Sequence, residues 1–335
     1  MKVGELGEFG LIERIAGRVG EAREPVVEGI GDDASILAPT PGHEIVTTTD
    51  MLIDGVHFLL DKTPPRDLGF KSLAVNISDI AAMGAIPIQA FVSLALPRET
   101  LVEDVDLFYD GILEAAAGQT QISGGDTVSS PHGWAISVTV IGEVRKGAAL
   151  RRDTARIGDR ICVCGPLGDS AAGLALMLGK AVVDDKGAAA HLEEAHNRPR
   201  PQVEMGCLLS ETGMSRCGVD VSDGFMQDLG HICEASGVGA RIDLNDLPVS
   251  PQLIKTAGTS GVDPYLWPLT GGEDYSIIFT VPAKAIGSLA KESASRRLEF
   301  CVVGEIVEGR TIDLFHEGKP YSLPGGGGFD HFVKR

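Results

Sequence analysis

Several features are scarce in this sequence, and each scarcity excludes a class of protein. Only 5% of the 335 residues are aromatic, and no apolar run approaches the ~18 residues that a membrane-spanning helix needs. The N-terminal stretch carries Glu5, Glu8 and Glu13, where a signal peptide would need unbroken apolar residues. We therefore expect a soluble protein of the cytoplasm with no membrane partner.

Cysteine is sparse and shows no metal-binding spacing. The six cysteines all lie after residue 160, and no two of them form a CxxC pair (Cys162, Cys164, Cys207, Cys217, Cys233 and Cys301). Several of them stand in apolar runs, which favours reduced thiols in a core over disulfides or a zinc site.

Basic residues are outnumbered by acidic ones. The chain has 29 Lys and Arg against 47 Asp and Glu, a formal net charge of −18. Such a surface repels phosphate backbones, so nucleic acid is excluded as a partner. The Walker GxxxxGK[ST] loop, the protein-kinase motifs and the GxSxG nucleophile motif are also missing. Any phosphate must be held in another way, and covalent catalysis is not expected.

Hydrophobic periodicity predicts an α/β protein of two domains. The polar stretch 151–159 is the best candidate for a boundary, which gives domains of 1–150 and 151–335. Apolar spacing predicts helices over 9–19, 70–84 and 103–118, while β-branched runs predict strands over 44–50, 88–96, 135–144 and 160–164. A helix capped by Ser170 should follow the last of these strands, and 182–196 should be a connection with little helix.

Acidic residues recur beside glycine or at the ends of predicted strands. They stand in the motifs GDD (31–33), TTD (48–50), GGD (124–126), DVSD (220–223) and GGED (271–274), and at Asp54 and Asp79. Each motif alone is typical of a turn or a helix cap. If several carboxylates converge, each pair ~5 Å apart repels by roughly 3 kcal/mol, so cations are needed.

Oxygen ligands suit magnesium, which prefers a few carboxylates together with phosphates from a substrate. An acidic protein can therefore bind a small polyphosphate through metal ions. The glycine turn 165–170 offers backbone N–H groups that suit an anion, although a plain capped turn explains it equally well.

Eight motifs, taken in order along the chain, resemble the thiamine-monophosphate kinase family. They are GEFGLIERI (7–15), GIGDDAS (29–35), TTTDMLIDGVHF (47–58), KSLAVNISDIAAMGAIP (71–87), ISGGDT (122–127), VDVSDG (219–224), TGGEDY (270–275) and GGFDHF (327–332). The resemblance implies the α/β (α+β) two-domain fold of the aminoimidazole ribonucleotide synthetase-like superfamily, with an N-terminal mixed sheet that pairs across a homodimer barrel. It also implies ATP-dependent phosphorylation of thiamine monophosphate to thiamine diphosphate, with several Mg²⁺ ions.

The same resemblance implies roles for particular residues. Asp50, Asp126 and Asp220 should be the catalytic carboxylates. Metal ligands, direct or through water, should be Asp33, Thr48, Thr49, Asp50, Asp79, Asp126, Asp220 and Asp223. Contacts to ATP should come from Gly125, Asp126, Arg152 and Ser222, and contacts to the substrate from His57, Glu273 and Phe329, with Phe332 as a rival to Phe329.

Other activities remain as alternatives. Within the superfamily these are an amidine-forming ligase, a selenophosphate synthetase and a hydrogenase-maturation dehydratase. The sequence disfavours the last two because its first cysteine is Cys162 and because it ends in Lys334 and Arg335 rather than cysteine. A non-catalytic module that binds nucleotide or cations is the alternative from another class.

Overall fold

The computed structural model describes residues 1–322, which form two compact units. The first comprises 1–80 and 86–146, and the second comprises 81–85 and the chain from Gly147 onward. The elements that begin in the first unit are α1 (Val3–Val19), β1 (Val26–Glu28), β2 (Ile36–Leu37), β3 (His43–Ile53), α2 (Pro65–Ala82), β4 (Ile86–Leu96), α3 (Val102–Ala116), β5 (Gln121–Ser129) and β6 (Ala135–Arg145).

The first unit is built on a four-stranded mixed sheet in the order β3-β6-β4-β5. The β3/β6 and β4/β6 pairs are antiparallel, whereas β4 and β5 run parallel. Residues on β4 and β6 alternate between buried and half-buried, the period expected of a sheet with one face in a core. Strand β3 forms one edge of this sheet, and three of its apolar side chains are exposed (Ile45, Met51 and Ile53).

The second unit contains the remaining strands and helices. They are β7 (Asp159–Cys164), α4 (Asp169–Met177), α5 (Lys186–Asn197), α6 (Val203–Thr212), β8 (Cys217–Asp220), α7 (Phe225–Ser236), β9 (Gly239–Asp243), α8 (Pro251–Ser260), α9 (Leu266–Thr270), β10 (Ile277–Pro282), α10 (Ile286–Ser295), β11 (Cys301–Val307), β12 (Ile312–His316) and β13 (Lys319–Pro320). Seven of the strands form one sheet in the order β13-β12-β9-β11-β7-β10-β8, in which only β9 and β12 pair in parallel.

Both faces of this second sheet are buried. Ile161, Val163 and Ile278 pack in one cluster with Phe225 and Leu229 of α7. The alternate residues of the same strands, such as Cys162 and Phe279, pack in another cluster with helix residues such as Met205 and Leu208. Helix residues therefore cover both faces of a largely antiparallel sheet.

Two local predictions in this unit are wrong. The segment 182–196, expected to contain little helix, includes α5, because Asp185 accepts hydrogen bonds from the N–H groups of Gly187 and Ala188 and caps the helix. Its buried Ala188, Leu192 and His196 recur every four residues, which is a helical period. Ser170 is not the cap of α4, since Gly168 holds that position without a side-chain cap.

The cysteines of the described residues are all free thiols. Burial raises the pKa of Cys162 and Cys164 to about 12, which makes these thiols poor nucleophiles and poor metal ligands. Among the described helices, none combines the length and apolar character needed to cross a membrane.

Candidate active site

Three oxygen-bearing side chains of the first unit meet between β3 and α2. Thr48 and Asp50 lie two residues apart on β3 and therefore on the same face of the strand. The hydroxyl of Thr48 donates a hydrogen bond to Asp79 of α2. Burial, reinforced by the negative charge of Asp79, raises the pKa of Asp50 to about 6. Thr48, Asp50 and Asp79 are called the β3/α2 cluster below.

The β3/α2 cluster has the properties of a site for a hard cation. Its donors are all oxygen atoms, and ionised Asp50 faces a second carboxylate, with its pKa raised accordingly. A divalent ion such as Mg²⁺ would relieve this repulsion and takes this donor set. The residues present therefore fit magnesium.

The structure places the other predicted ligands of this unit differently. Thr49 points to the opposite face of β3, where its hydroxyl bonds to Thr139 at 3.0 Å and to the carbonyl of Val138 at 3.2 Å. Asp33 is exposed in the loop before β2. Asp126 is also exposed. It lies on β5, at the far edge of the sheet from β3, and pairs in register with Ser93 of β4. Three strand spacings of about 4.8 Å separate these edges, so Asp126 lies about 14 Å across the sheet from β3.

Gly125 has a clear structural requirement on β5. Its φ is +152°, and a Cβ atom there would lie 1.8 Å from the carbonyl oxygen of Val92. Only glycine fits so close an approach of two backbones.

His57 follows β3, and its Nδ1 accepts the N–H of Ile53 at 3.1 Å, which fixes the ring.

In the second unit, the end of β8 and the turn after it carry three of the predicted residues. Asp220 ends β8 with 2% of its surface exposed, and Ser222 and Asp223 follow in the turn before α7. One oxygen of Asp228, on the first turns of α7, accepts the N–H groups of Ser222, Asp223 and Gly224, each at 3.1 Å. Asp223, Asp228 and His231 each offer one ligand atom, and these atoms lie within 4.8 Å of one another.

The pKa of Asp228 is raised to about 7. Burial is the largest cause and the nearby charge of Asp223 the second, while the three backbone hydrogen bonds act in the opposite direction. The carboxylate of Asp223 remains on the accessible side of the turn, where its Oδ2 accepts a hydrogen bond from the amide of Gln227 at 3.0 Å.

The GGED loop packs along this turn. The N–H of Glu273 donates to the carbonyl of Ser222 at 2.8 Å, and that of Tyr275 donates to Val221 at 2.9 Å. Glu273 and Tyr275 have φ angles of +64° and +51°, which are strained values for residues with side chains. Strain of this kind is concentrated at functional sites, where the surroundings hold it in place. Glu273 also lies 3.5 Å from Nδ1 of the buried His196.

Asp274 fills the glycine turn that suited an anion. Its carboxylate accepts the N–H of Gly168 at 2.6 Å and that of Ser170 at 3.2 Å, at the N-terminus of α4. Loss of water around the buried carboxylate raises its pKa well above the usual value for aspartate. The backbone donors of this turn are thus used by the protein itself, and the alternative of a capped turn holds.

The remaining predicted contacts are placed as follows. Arg152 lies in a short 3-10 turn, and its backbone carbonyl accepts a hydrogen bond from the hydroxyl of Ser236 at 2.8 Å. The neighbouring Arg151 pairs with Asp153 through two hydrogen bonds of 2.9 and 2.7 Å. Phe329 and its rival Phe332 lie outside the described residues.

Sequence reasoning did not single out Asp228, and it counted Asp274 only among the acids that could converge on metal ions. Both carboxylates accept backbone N–H groups, those of Asp228 from the turn just before α7 and those of Asp274 from the turn before α4. The only signal at Asp228 is an acidic residue four positions after an Asp-Gly turn, which is also common in ordinary first helical turns.

Comparison with known proteins gives the family of the chain. Residues 31–144 match the model of the AIR synthase related protein, N-terminal domain, and residues 156–317 match that of the C-terminal domain. The thiamine-monophosphate kinase of Escherichia coli (strain K12) is 39% identical over 332 residues, which cover 98% of each chain.

Two solved structures agree in fold and sequence. A thiamine-monophosphate kinase from Stenotrophomonas maltophilia K279a has a TM-score of 0.82 and 37% identity over 93% of this chain and 96% of its own. AaThiL complexed with AMPPCP and TMP has a TM-score of 0.76 and 33% identity over 99% of each chain. The chain belongs to the thiamine-monophosphate kinase family of AIR synthase related proteins.

Proposed function

We propose that this protein transfers the γ-phosphoryl group of ATP to thiamine monophosphate. The terminal phosphate oxygen of thiamine monophosphate forms the new P–O bond, the bond between the β,γ-bridging oxygen and the γ-phosphorus breaks, and the products are thiamine diphosphate and ADP. The observation that carries this proposal is the full-length similarity to a relative solved with AMPPCP and TMP.

The residues of the chain suit a reaction governed by position and charge. The attacking phosphate oxygen is already ionised at neutral pH, so no side chain has to remove a proton from it. The β3/α2 cluster and Asp223 of the Ser222–Gly224 turn would hold Mg²⁺. When bound, Mg²⁺ supplies neutralisation of the phosphate charges. Glu273, held by its backbone bond to Ser222, would contact the substrate.

The proposed residue set is that implied by the family motifs. Metal ligands are Asp33, Thr48, Thr49, Asp50, Asp79, Asp126, Asp220 and Asp223; ATP contacts are Gly125, Asp126, Arg152 and Ser222; substrate contacts are His57, Glu273 and Phe329. Thr49 would act through its backbone, because its hydroxyl is already bonded on the other face of β3.

We place the base of ATP in a cavity of the first unit. The cavity has a volume of ≈ 80 Å³, opens to solvent, and is lined by the end of α1, by Leu113 and Ala116 of α3, and by the start of β5. Thr120 in its wall is 3% exposed, and its hydroxyl has no hydrogen-bond partner among the described residues. Because β5 continues from this cavity to Gly125 and Asp126, one strand serves both ends of a nucleotide.

We also propose that the protein is a homodimer of the cytoplasm, paired through β3. Within residues 1–322, that strand is a long edge with no strand on its outer side, and it carries exposed Ile45, Met51 and Ile53, a surface that monomers usually avoid. Free buried cysteines accord with a reducing compartment.

Met51→Lys should reduce the mass measured by light scattering from twice 35.2 kDa to 35.2 kDa. Val182→Lys, at an exposed apolar residue of the second unit, is the control and should leave the mass unchanged.

An assay with purified protein tests the proposed reaction. Incubation with ATP, Mg²⁺ and thiamine monophosphate should give thiamine diphosphate and ADP in equal amounts, as measured by chromatography. Omission of Mg²⁺ should abolish both products. Absence of thiamine diphosphate at every Mg²⁺ concentration would contradict the proposed activity, and ADP formed without thiamine diphosphate would favour another ATP-dependent reaction.

A further inference from the structure

Asp228 makes an unusual set of hydrogen bonds for a helical side chain. Its Oδ2 accepts three consecutive backbone N–H groups, those of Ser222, Asp223 and Gly224, each at 3.1 Å. The side chain is 2% exposed, so water does not compete for these donors. Three convergent N–H groups at a turn commonly form a concave binding site for an external anion. Here a side chain of the protein occupies that position.

One of these hydrogen bonds comes from the N–H of Asp223, the residue for which the family motif implies a role as a metal ligand. Without Asp228, the three N–H groups would be buried donors without an acceptor, and the turn would relax toward other conformations. The carboxylate of Asp223 would move with the turn, since it is carried on the middle residue of the three. Asp228 itself has Oδ2 fully engaged, which suits a supporting role.

We propose that Asp228 is a positioning residue, which holds the Ser222–Gly224 turn so that Asp223 is preorganised to bind a divalent cation. This inference rests on the proposed function, in which Asp223 is a metal ligand. It predicts that the acceptor oxygen at position 228 matters and that the negative charge there matters little. The alternative is that Asp228 is itself a ligand, as the proximity of Asp223, Asp228 and His231 would allow.

Three variants separate these roles. Asp228→Asn keeps an oxygen acceptor in the same place and removes the charge. Asp228→Ala removes the acceptor. Leu229→Ala, at the neighbouring fully buried residue of α7, loosens the same helix without touching the turn and is the matched control.

Two measurements on the full chain read the turn and the cation separately. Hydrogen exchange in metal-free protein, followed by mass spectrometry, reports the N–H groups of 222–224. Titration with Mn²⁺, followed by electron paramagnetic resonance, reports cation affinity without any turnover. We expect Asp228→Ala to speed exchange at the turn and to raise the Kd for Mn²⁺ about tenfold, the usual cost of losing a group that orients a ligand. Asp228→Asn should stay close to the wild type in both measurements.

Several results would overturn the inference. An Asp228→Asn protein that binds Mn²⁺ as weakly as Asp228→Ala would make Asp228 a ligand. If Leu229→Ala raised the exchange rate at 222–224 and the Kd for Mn²⁺ as much as Asp228→Ala, the effect would be a general loosening of α7. Unchanged exchange at 222–224 in Asp228→Ala would show that the bonds do not hold the turn. A parallel Asp223→Asn protein that binds Mn²⁺ normally would count against the proposed metal site, and the exchange measurement would still report on the turn.

Discussion

Three carboxylates of this protein whose pKa values are raised differ in the groups that surround them. Asp228 and Asp274 accept backbone N–H groups, so their partners come from the fold itself. Asp50 faces Asp79, another carboxylate, and its pKa is raised to about 6. The raised pKa means that ionised Asp50 reduces the stability of the metal-free protein at neutral pH. Unlike Asp228 and Asp274, it has a second carboxylate as its neighbour, an arrangement typical of a site built for a ligand.

Asp50→Asn tests this distinction at a single residue. The amide is nearly the same size and carries no charge, so metal-free Asp50→Asn should unfold at a higher temperature than the wild type at pH 7.5. Loss of a cation ligand should at the same time lower kcat by about 100-fold or more. Melting curves in EDTA and turnover in Mg²⁺ measure the two effects, with the exposed Asp61→Asn as the control. A variant that is neither stabilised nor impaired would remove Asp50 from the site.

At the scale of helices and strands, the sequence predicted elements whose signal is local. The helix of 70–84 and the strands of 44–50, 88–96 and 135–144 appear as α2, β3, β4 and β6, because apolar periodicity reflects one buried face of each element. Thr48 and Asp50 were expected at the exit of the 44–50 strand, whereas β3 continues to Ile53 and carries both residues inside the strand, on one face. The hydrogen bonds of Asp228 and Asp274 were not predicted, because apolar periodicity carries no signal for a carboxylate that accepts backbone N–H groups.

Helix α5, in a segment expected to contain little helix, shows how tertiary contact supports an element. Its alanine-rich sequence packs so closely on α4 that a Cβ atom at Gly173 of α4 would lie 2.0 Å from the carbonyl oxygen of Leu192 in α5. A small residue at this crossing lets the two backbones touch, and burial of Ala188 and Leu192 then stabilises the helix.

Gly173→Ala should therefore separate α4 from α5. Because the new methyl group meets backbone, the free energy of unfolding should fall by about 1–3 kcal/mol, as urea denaturation would measure. Gly230→Ala is the matched control, since that helical glycine has nothing within 4 Å of its Cβ position. It should raise stability by about 0.4–1 kcal/mol through a less flexible unfolded chain. The two variants behaving alike would be incompatible with the close helix contact.

Across the whole molecule, the formal charge of −18 combines surface carboxylates with a few buried ones that titrate near neutrality. We expect the former to repel nucleic acid and ionised Asp50 to attract a small polyphosphate that carries Mg²⁺. Because the pKa values are about 6 for Asp50 and about 7 for Asp228, one experiment can follow how the stability of the protein depends on pH and on added metal.

Both carboxyls have a higher pKa in the folded chain than the 3.8 usual for aspartate, so folding favours their neutral forms. Their contribution to stability is fully present below about pH 4 and is lost as pH rises through 6 and 7. Mg²⁺ prefers ionised Asp50, so it competes with protons at acidic pH and replaces the lost stability at higher pH. The rise in melting temperature on adding Mg²⁺ should therefore be larger at pH 7.5 than at pH 5, and Asp50→Asn should shrink that difference. An equal rise at both pH values, measured by scanning fluorimetry against EDTA, would mean that the cation does not bind at the titrating carboxylates.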